Sequence, residues 1–108
     1  MIRLAIAVFA GAVLLAPGAA SAQADKGQQV FAAQKCSMCH AIAGKGNAKG
    51  PLDGVGKKYS AADLKEWIVN AKGMAEKTKA MRKPAMRDYS GLPAADVDAL
   101  VAYLSTLK

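Results

Sequence analysis

Cys36-Ser37-Met38-Cys39-His40 gathers both cysteines and the single histidine of a 108-residue chain into five positions. No other stretch restricts the fold so strongly. Two thiols with two residues between them, followed at once by an imidazole, form the c-type haem attachment pattern. Each thiol can add across one vinyl group of the porphyrin, giving two thioether bonds. His40 is then held beneath the ring, where a nitrogen can bind iron. A chain built this way folds around a large planar apolar body, so the cofactor becomes part of the core.

The same residues have other uses, and the chain argues against each. A disulfide between Cys36 and Cys39 would close almost no loop and remove little chain entropy. A thioredoxin-like redox pair needs a βαβ setting, and no run of β-branched alternation resembles a central strand. Zinc takes four ligands. Cys36, Cys39 and His40 leave that set short, and there is no second histidine.

The N-terminal residues place the pattern in an exported protein. Arg3 is a positive n-region, Leu4 to Ala16 is an uncharged apolar run, and Pro17-Gly18 breaks it before the small-residue site Ala20-Ser21-Ala22. Residues 1–22 therefore read as a cleaved signal peptide, because the run is shorter than the roughly 20 residues a spanning helix needs. Residues 23–108 remain as one small domain with no membrane span, in the periplasm of a bacterium. Loss of Arg3 takes the basic count from 15 to 14 against 8 acidic residues, leaving a charge of +6. Five aromatics remain: Phe31, Tyr59, Trp67, Tyr89 and Tyr103. A chain this short usually needs a staple, and a covalently held porphyrin supplies one.

The expected architecture is all-α, with three to five short helices. Asp25 and Gln28 have capping-box spacing and open a first helix that runs to about Gln34. Residues 43–58, rich in glycine, read as loop. Ser60-x-x-Asp63 opens a second helix with Leu64, Trp67, Ile68 and Ala71 at helical spacing, ending near Lys72-Gly73. Pro93 suits the first turn of the last helix. Val97, Leu100, Val101 and Leu104 then mark one apolar face. No segment reads as a strand.

These features together resemble a class I cytochrome c of the small bacterial monohaem type. The resemblance rests on Cys36-x-x-Cys39-His40, on Gly50-Pro51 about ten residues later, on a distal methionine, and on the closing Leu100-Val-Ala-Tyr103-Leu. It spans nearly all of residues 23–108. It implies the cytochrome c fold, with one haem c bonded through Cys36 and Cys39 and the first and last helices crossing. Gly27 and Phe31 would meet Leu100 and Tyr103 at that crossing. It also implies that the Pro51 carbonyl accepts the second N–H of His40, and it puts Lys57 where relatives carry a basic partner for a haem propionate.

With no second histidine, bis-histidine ligation is excluded, and methionine is the known partner for a haem histidine in an electron-transfer site. Met38 lies between the attachment cysteines and cannot reach the opposite ring face. Met74, directly after the second helix, is more simply apolar filler. Met86 follows Pro84, which stiffens the presenting loop. It also stands 17 residues before Tyr103, a spacing that resembles the family's. We expect iron to be bound by His40 and Met86, with Met81 as the remaining alternative. Trp67 and Tyr59 are expected to pack near the ring, where their N–H and O–H could reach a propionate.

A His/Met site leaves no open position for oxygen, peroxide or nitrite. The expected function is that of a periplasmic electron carrier cycling Fe(III)/Fe(II), with no catalytic residues, acting as a monomer. The alternative is the cytochrome subunit of a periplasmic oxidoreductase. Lys35, Lys45, Lys49, Lys79, Arg82, Lys83 and Arg87 lie near the motif or the methionine loop in sequence. They would steer acidic redox partners into brief encounters. Nucleic acid is not an expected partner.

Overall fold

A computed structural model describes residues 18–108. The apolar run of the expected signal peptide lies outside the described residues. Five helices follow in order: α1 (Gly18–Ala33), α2 (Val55–Lys58), α3 (Ala61–Val69), α4 (Ala71–Thr78) and α5 (Ala94–Ser105). Among the described residues, β-structure is confined to a two-residue pair, Ala41–Ile42 with Lys45–Gly46. The fold is all-α, as expected.

α1 starts earlier than the sequence reading placed it. Asp25 lies inside the helix and does not cap it. Ala19 to Ala24 contains four alanines. Alanine is the strongest helix former, so the helix propagates past Asp25 toward the N-terminus. The expected cleavage site falls in the opening turns of this helix.

α1 and α5 cross as the family resemblance implied. Gly27 makes the crossing possible: a Cβ there would overlap the Ala99 carbonyl and the Tyr103 Cβ. One turn on, Phe31 meets Tyr103 edge to face, with centroids 6.0 Å apart and planes at 70°. Val30 joins Leu64, Ile68, Val97, Leu100 and Leu104 in the buried core, with Phe31 and Tyr103 packed against it. At the rim, Lys26 Nζ lies 3.5 Å from Asp96 Oδ1. The apolar face read for α5 is buried at Val97, Leu100 and Leu104. Pro93 sits one position outside the helix, as its N-cap.

Ser60 opens α3 as its spacing predicted, its Oγ accepting the Asp63 N–H at 3.2 Å. Leu64 and Ile68 face the core. The helix does not continue to Lys72-Gly73. Asn70 leaves the helical region with φ −141° and ψ 53°, and a separate helix, α4, begins at Ala71. Bending there buries both Ala71 and Met74, which one straight helix would carry on along its own axis. α2 closes on the C-terminus, where the Gly56 N–H donates to the Leu107 carbonyl at 2.8 Å.

The strand pair was invisible in the sequence because it is so short. Its turn places Ala43 and Gly44 at φ 52° and 79°, and the Asp53 carboxylate accepts the Ala43 N–H at 2.8 Å. That bond ties the turn of the hairpin to the chain just past Leu52.

Candidate functional site

The attachment segment is wound into a single tight turn. Lys35, at φ 56°, turns the chain out of α1 into a 3-10 turn over Cys36–Met38. The Cys36 carbonyl then accepts the N–H groups of both Cys39, at 3.1 Å, and His40, at 2.9 Å. Both cysteines are free thiols, Cys36 half-buried and Cys39 exposed. Burial pushes the Cys36 thiol above its usual range, while a backbone hydrogen bond and the charge of Arg87 oppose that.

His40 is oriented by the backbone. Its Nδ1 lies 3.0 Å from the Gly50 carbonyl. A carbonyl only accepts, so Nδ1 carries the hydrogen and Nε2 keeps its lone pair for a metal. Burial lowers the pKa of His40, and Arg82 lowers it further, against the Gly50 bond that raises it. The ring is thus held neutral and ready to ligate. The acceptor is Gly50 and not Pro51, the residue that the resemblance implied. The Gly50 carbonyl also accepts the Ala41 N–H at 3.0 Å, and the Leu52 N–H donates to Ala41 at 2.8 Å. Those two bonds set the register and bring Gly50 to the ring. A Cβ on Gly50 would overlap the Cys39 carbonyl and the Arg82 guanidinium.

Asn47 is a site residue that the sequence reading missed. Its N–H is shared between the Ser37 and His40 carbonyls, both at 3.1 Å, and its side-chain amide donates to the Met38 carbonyl at 3.1 Å. It thereby satisfies three carbonyls of the attachment turn. The available signal was weak: an Asn two residues before a Lys-Gly pair, which is ordinary Asx-turn chemistry. The Lys49 N–H indeed donates back to its Oδ1 at 3.0 Å.

The four methionines of residues 23–108 separate by exposure. Met74 is buried in the core, while Met38 and Met81 are 70% and 89% exposed. Met86 is half-buried. Its loop is brought to the attachment turn by the residues around it. Arg82 packs on Gly50, and its charge acts on His40. Arg87 acts on Cys36 and Cys39. Its guanidinium lies over the Tyr89 ring, 5.2 Å from the centroid, with Nη2 3.3 Å from the Tyr89 hydroxyl. Lys57, by contrast, is exposed at the end of α2.

The residues present fit a haem. Trp67 packs edge to face on Tyr59, centroids 6.2 Å apart, and its Nε1–H is buried with no acceptor. A buried donor left unpaired costs about 1–3 kcal/mol, and a haem propionate is an acceptor the protein itself does not supply. Among the described residues no group of three or more His, Cys, Asp or Glu side chains converges to hold a bare metal ion. Two free thiols, one neutral imidazole and a half-buried thioether suit an iron that arrives inside its own macrocycle.

A helical wrap around such a donor set defines a c-type haem protein. The cytochrome c family model matches residues 24–108, and the chain belongs to that family. Membership implies a covalently bound haem c and a haem-based electron carrier. Among characterised proteins, cytochrome c oxidase subunit 2 of Alkalihalophilus pseudofirmus is 31% identical over 94 residues. The match covers 79% of this chain but 26% of that protein's length. No solved structure matches the chain. Among the described residues, no helix is long and apolar enough to cross a membrane.

Proposed function

We propose that the protein is a periplasmic electron carrier whose haem is bonded through Cys36 and Cys39 and whose iron is held by His40 and Met86. The observation that carries the ligand choice is the placement of the methionine loop. Arg82 and Arg87 flank Met86 in sequence, and their charges reach His40 and the two cysteines. Met86, which lies between them in sequence, is half-buried, while Met81 is 89% exposed. When bound, the haem supplies a reversible one-electron Fe(III)/Fe(II) couple, and a thioether ligand favours the reduced metal.

The protein's own groups then have distinct roles. Gly50 fixes the orientation of the His40 ring, Asn47 holds the attachment turn, and the buried Trp67 N–H is a donor that a haem propionate would satisfy. His40 and Met86 would together hold the iron, and a site so filled would do no chemistry on a substrate. Export rests on residues 1–22 as the signal peptide. Acidic redox proteins are the partners that the exposed lysines and arginines suit, and the carrier meets them as a monomer.

A second reading, that of a subunit in a larger oxidoreductase, is favoured by the match to an oxidase subunit. Purification distinguishes the two: a carrier comes alone, a subunit with a catalytic chain. The ligand set is tested by the visible spectrum. The wild type should show a low-spin spectrum with the weak red sulfur-to-iron band, and Met86→Ala should lose that band. Persistence in Met86→Ala with loss in Met81→Ala would reassign the ligand.

A further inference from the structure

The corner between α3 and α4 leaves backbone groups that neither helix can satisfy. A helix's last carbonyls and first N–H groups have no partner within it. Here these include the Ile68 carbonyl and the Lys72 N–H. Two consecutive residues of the methionine-bearing segment meet both. The Tyr89 N–H donates to the Ile68 carbonyl at 2.8 Å. Asp88 Oδ1 accepts the Lys72 N–H at 3.0 Å.

Asn70 holds the N-cap position of α4 but makes no side-chain cap. Its amide points instead to Glu66 Oε2, at 3.4 Å. Asp88 therefore performs the capping from elsewhere in the chain, and its carboxylate suits the positive end of the helix. Arg87, between Asp88 and Met86, is held on the Tyr89 ring. Asp88 and Tyr89 are thus tied to the corner between α3 and α4, and Arg87 is held on Tyr89. On the loop's other side the contact is that of Arg82 with Gly50, while Met81 is exposed and Lys83 and Pro84 lie at the surface.

We infer that Asp88 is a positioning residue for Met86. By capping α4 it fixes the register in which the thioether is presented to iron. The inference rests on Met86 as the second ligand. An iron–thioether contact is easily displaced, so its persistence depends on how little loop freedom must be given up to form it. A loop already tied at its C-terminal side gives up less. Asp53 provides the comparison, since it makes the same kind of bond, carboxylate to the Ala43 N–H at 2.8 Å, and is also exposed. It lies in the hairpin region and not in the methionine loop.

The test uses the haem-loaded protein with Asp88→Ala, Asp88→Asn and Asp53→Ala. Guanidinium unfolding is followed by the sulfur-to-iron band and, separately, by far-ultraviolet circular dichroism. In Asp88→Ala the band should vanish at lower denaturant than the helices. In Asp88→Asn, which keeps the acceptor oxygen, and in Asp53→Ala, the two should fall together. Hydrogen exchange gives a readout independent of iron: the Lys72 amide should exchange about fivefold faster in Asp88→Ala, the factor corresponding to one lost N-cap. Coincident loss of band and helix in Asp88→Ala, or an Asp88→Asn protein that behaves like Asp88→Ala, overturns the inference. If the band survives in Met86→Ala, the ligand assignment fails instead, whatever Asp88 does.

Discussion

Gly27 lies directly under the Ala99 carbonyl, and the absence of a side chain sets how near α1 and α5 approach. Inside a helix, alanine is favoured over glycine by about 1 kcal/mol. Here that gain opposes an overlap with rigid backbone, and overpacking costs about 1–3 kcal/mol. We expect Gly27→Ala to lower the urea midpoint, with a net loss on the order of 1 kcal/mol, because the carbonyl cannot rotate away and the overlap outweighs the gain in propensity. An unchanged midpoint would mean that the helices separate freely. Cys36, Cys39 and His40 are marked in the sequence by their spacing, whereas Gly27 was legible only through the family resemblance. The acceptor for the His40 ring was not legible. Gly50 and Pro51 are adjacent, and the choice between their carbonyls depends on the hydrogen bonds of Ala41, which no local pattern encodes. Asn47 and Asp88 escaped notice for the same reason: their partners come from other segments.

At the level of elements, the readable parts were those with local causes. Ser60 capped α3 because its hydroxyl needs only the N–H three residues on. The apolar face of α5 followed from spacing, and Pro93 marked its start to within one residue. The two misplaced boundaries have different causes, one local and one in the packing. α1 overran Asp25 because a run of alanines outweighed one capping side chain. α3 stopped at Val69, short of Lys72-Gly73, because the Asn70 bend lets α4 bury Ala71 and Met74. That bend is also what creates the unpaired backbone groups met by Asp88 and Tyr89. The site therefore depends on a helix break that periodicity alone reads as continuous.

For the whole molecule, charge and iron chemistry are separate questions. The chain carries 15 basic against 8 acidic residues. Lys35, Lys45, Lys49, Lys79, Arg82, Lys83 and Arg87 are all exposed, and none is in a salt bridge among the described residues. If these cations steer partners, electron exchange with an acidic redox protein should slow steeply as salt rises from about 0.01 M to about 1 M, since screening shrinks the field to a few ångströms. A flat salt profile would show that the charge serves solubility alone. The central claim concerns the iron: that His40 and Met86 fill both axial positions and make the protein a carrier. Carbon monoxide added to the native ferrous protein at neutral pH tests it most directly. The account predicts an unchanged visible spectrum in the wild type. Rapid, stoichiometric binding would contradict it, because it would reveal an iron with an open position.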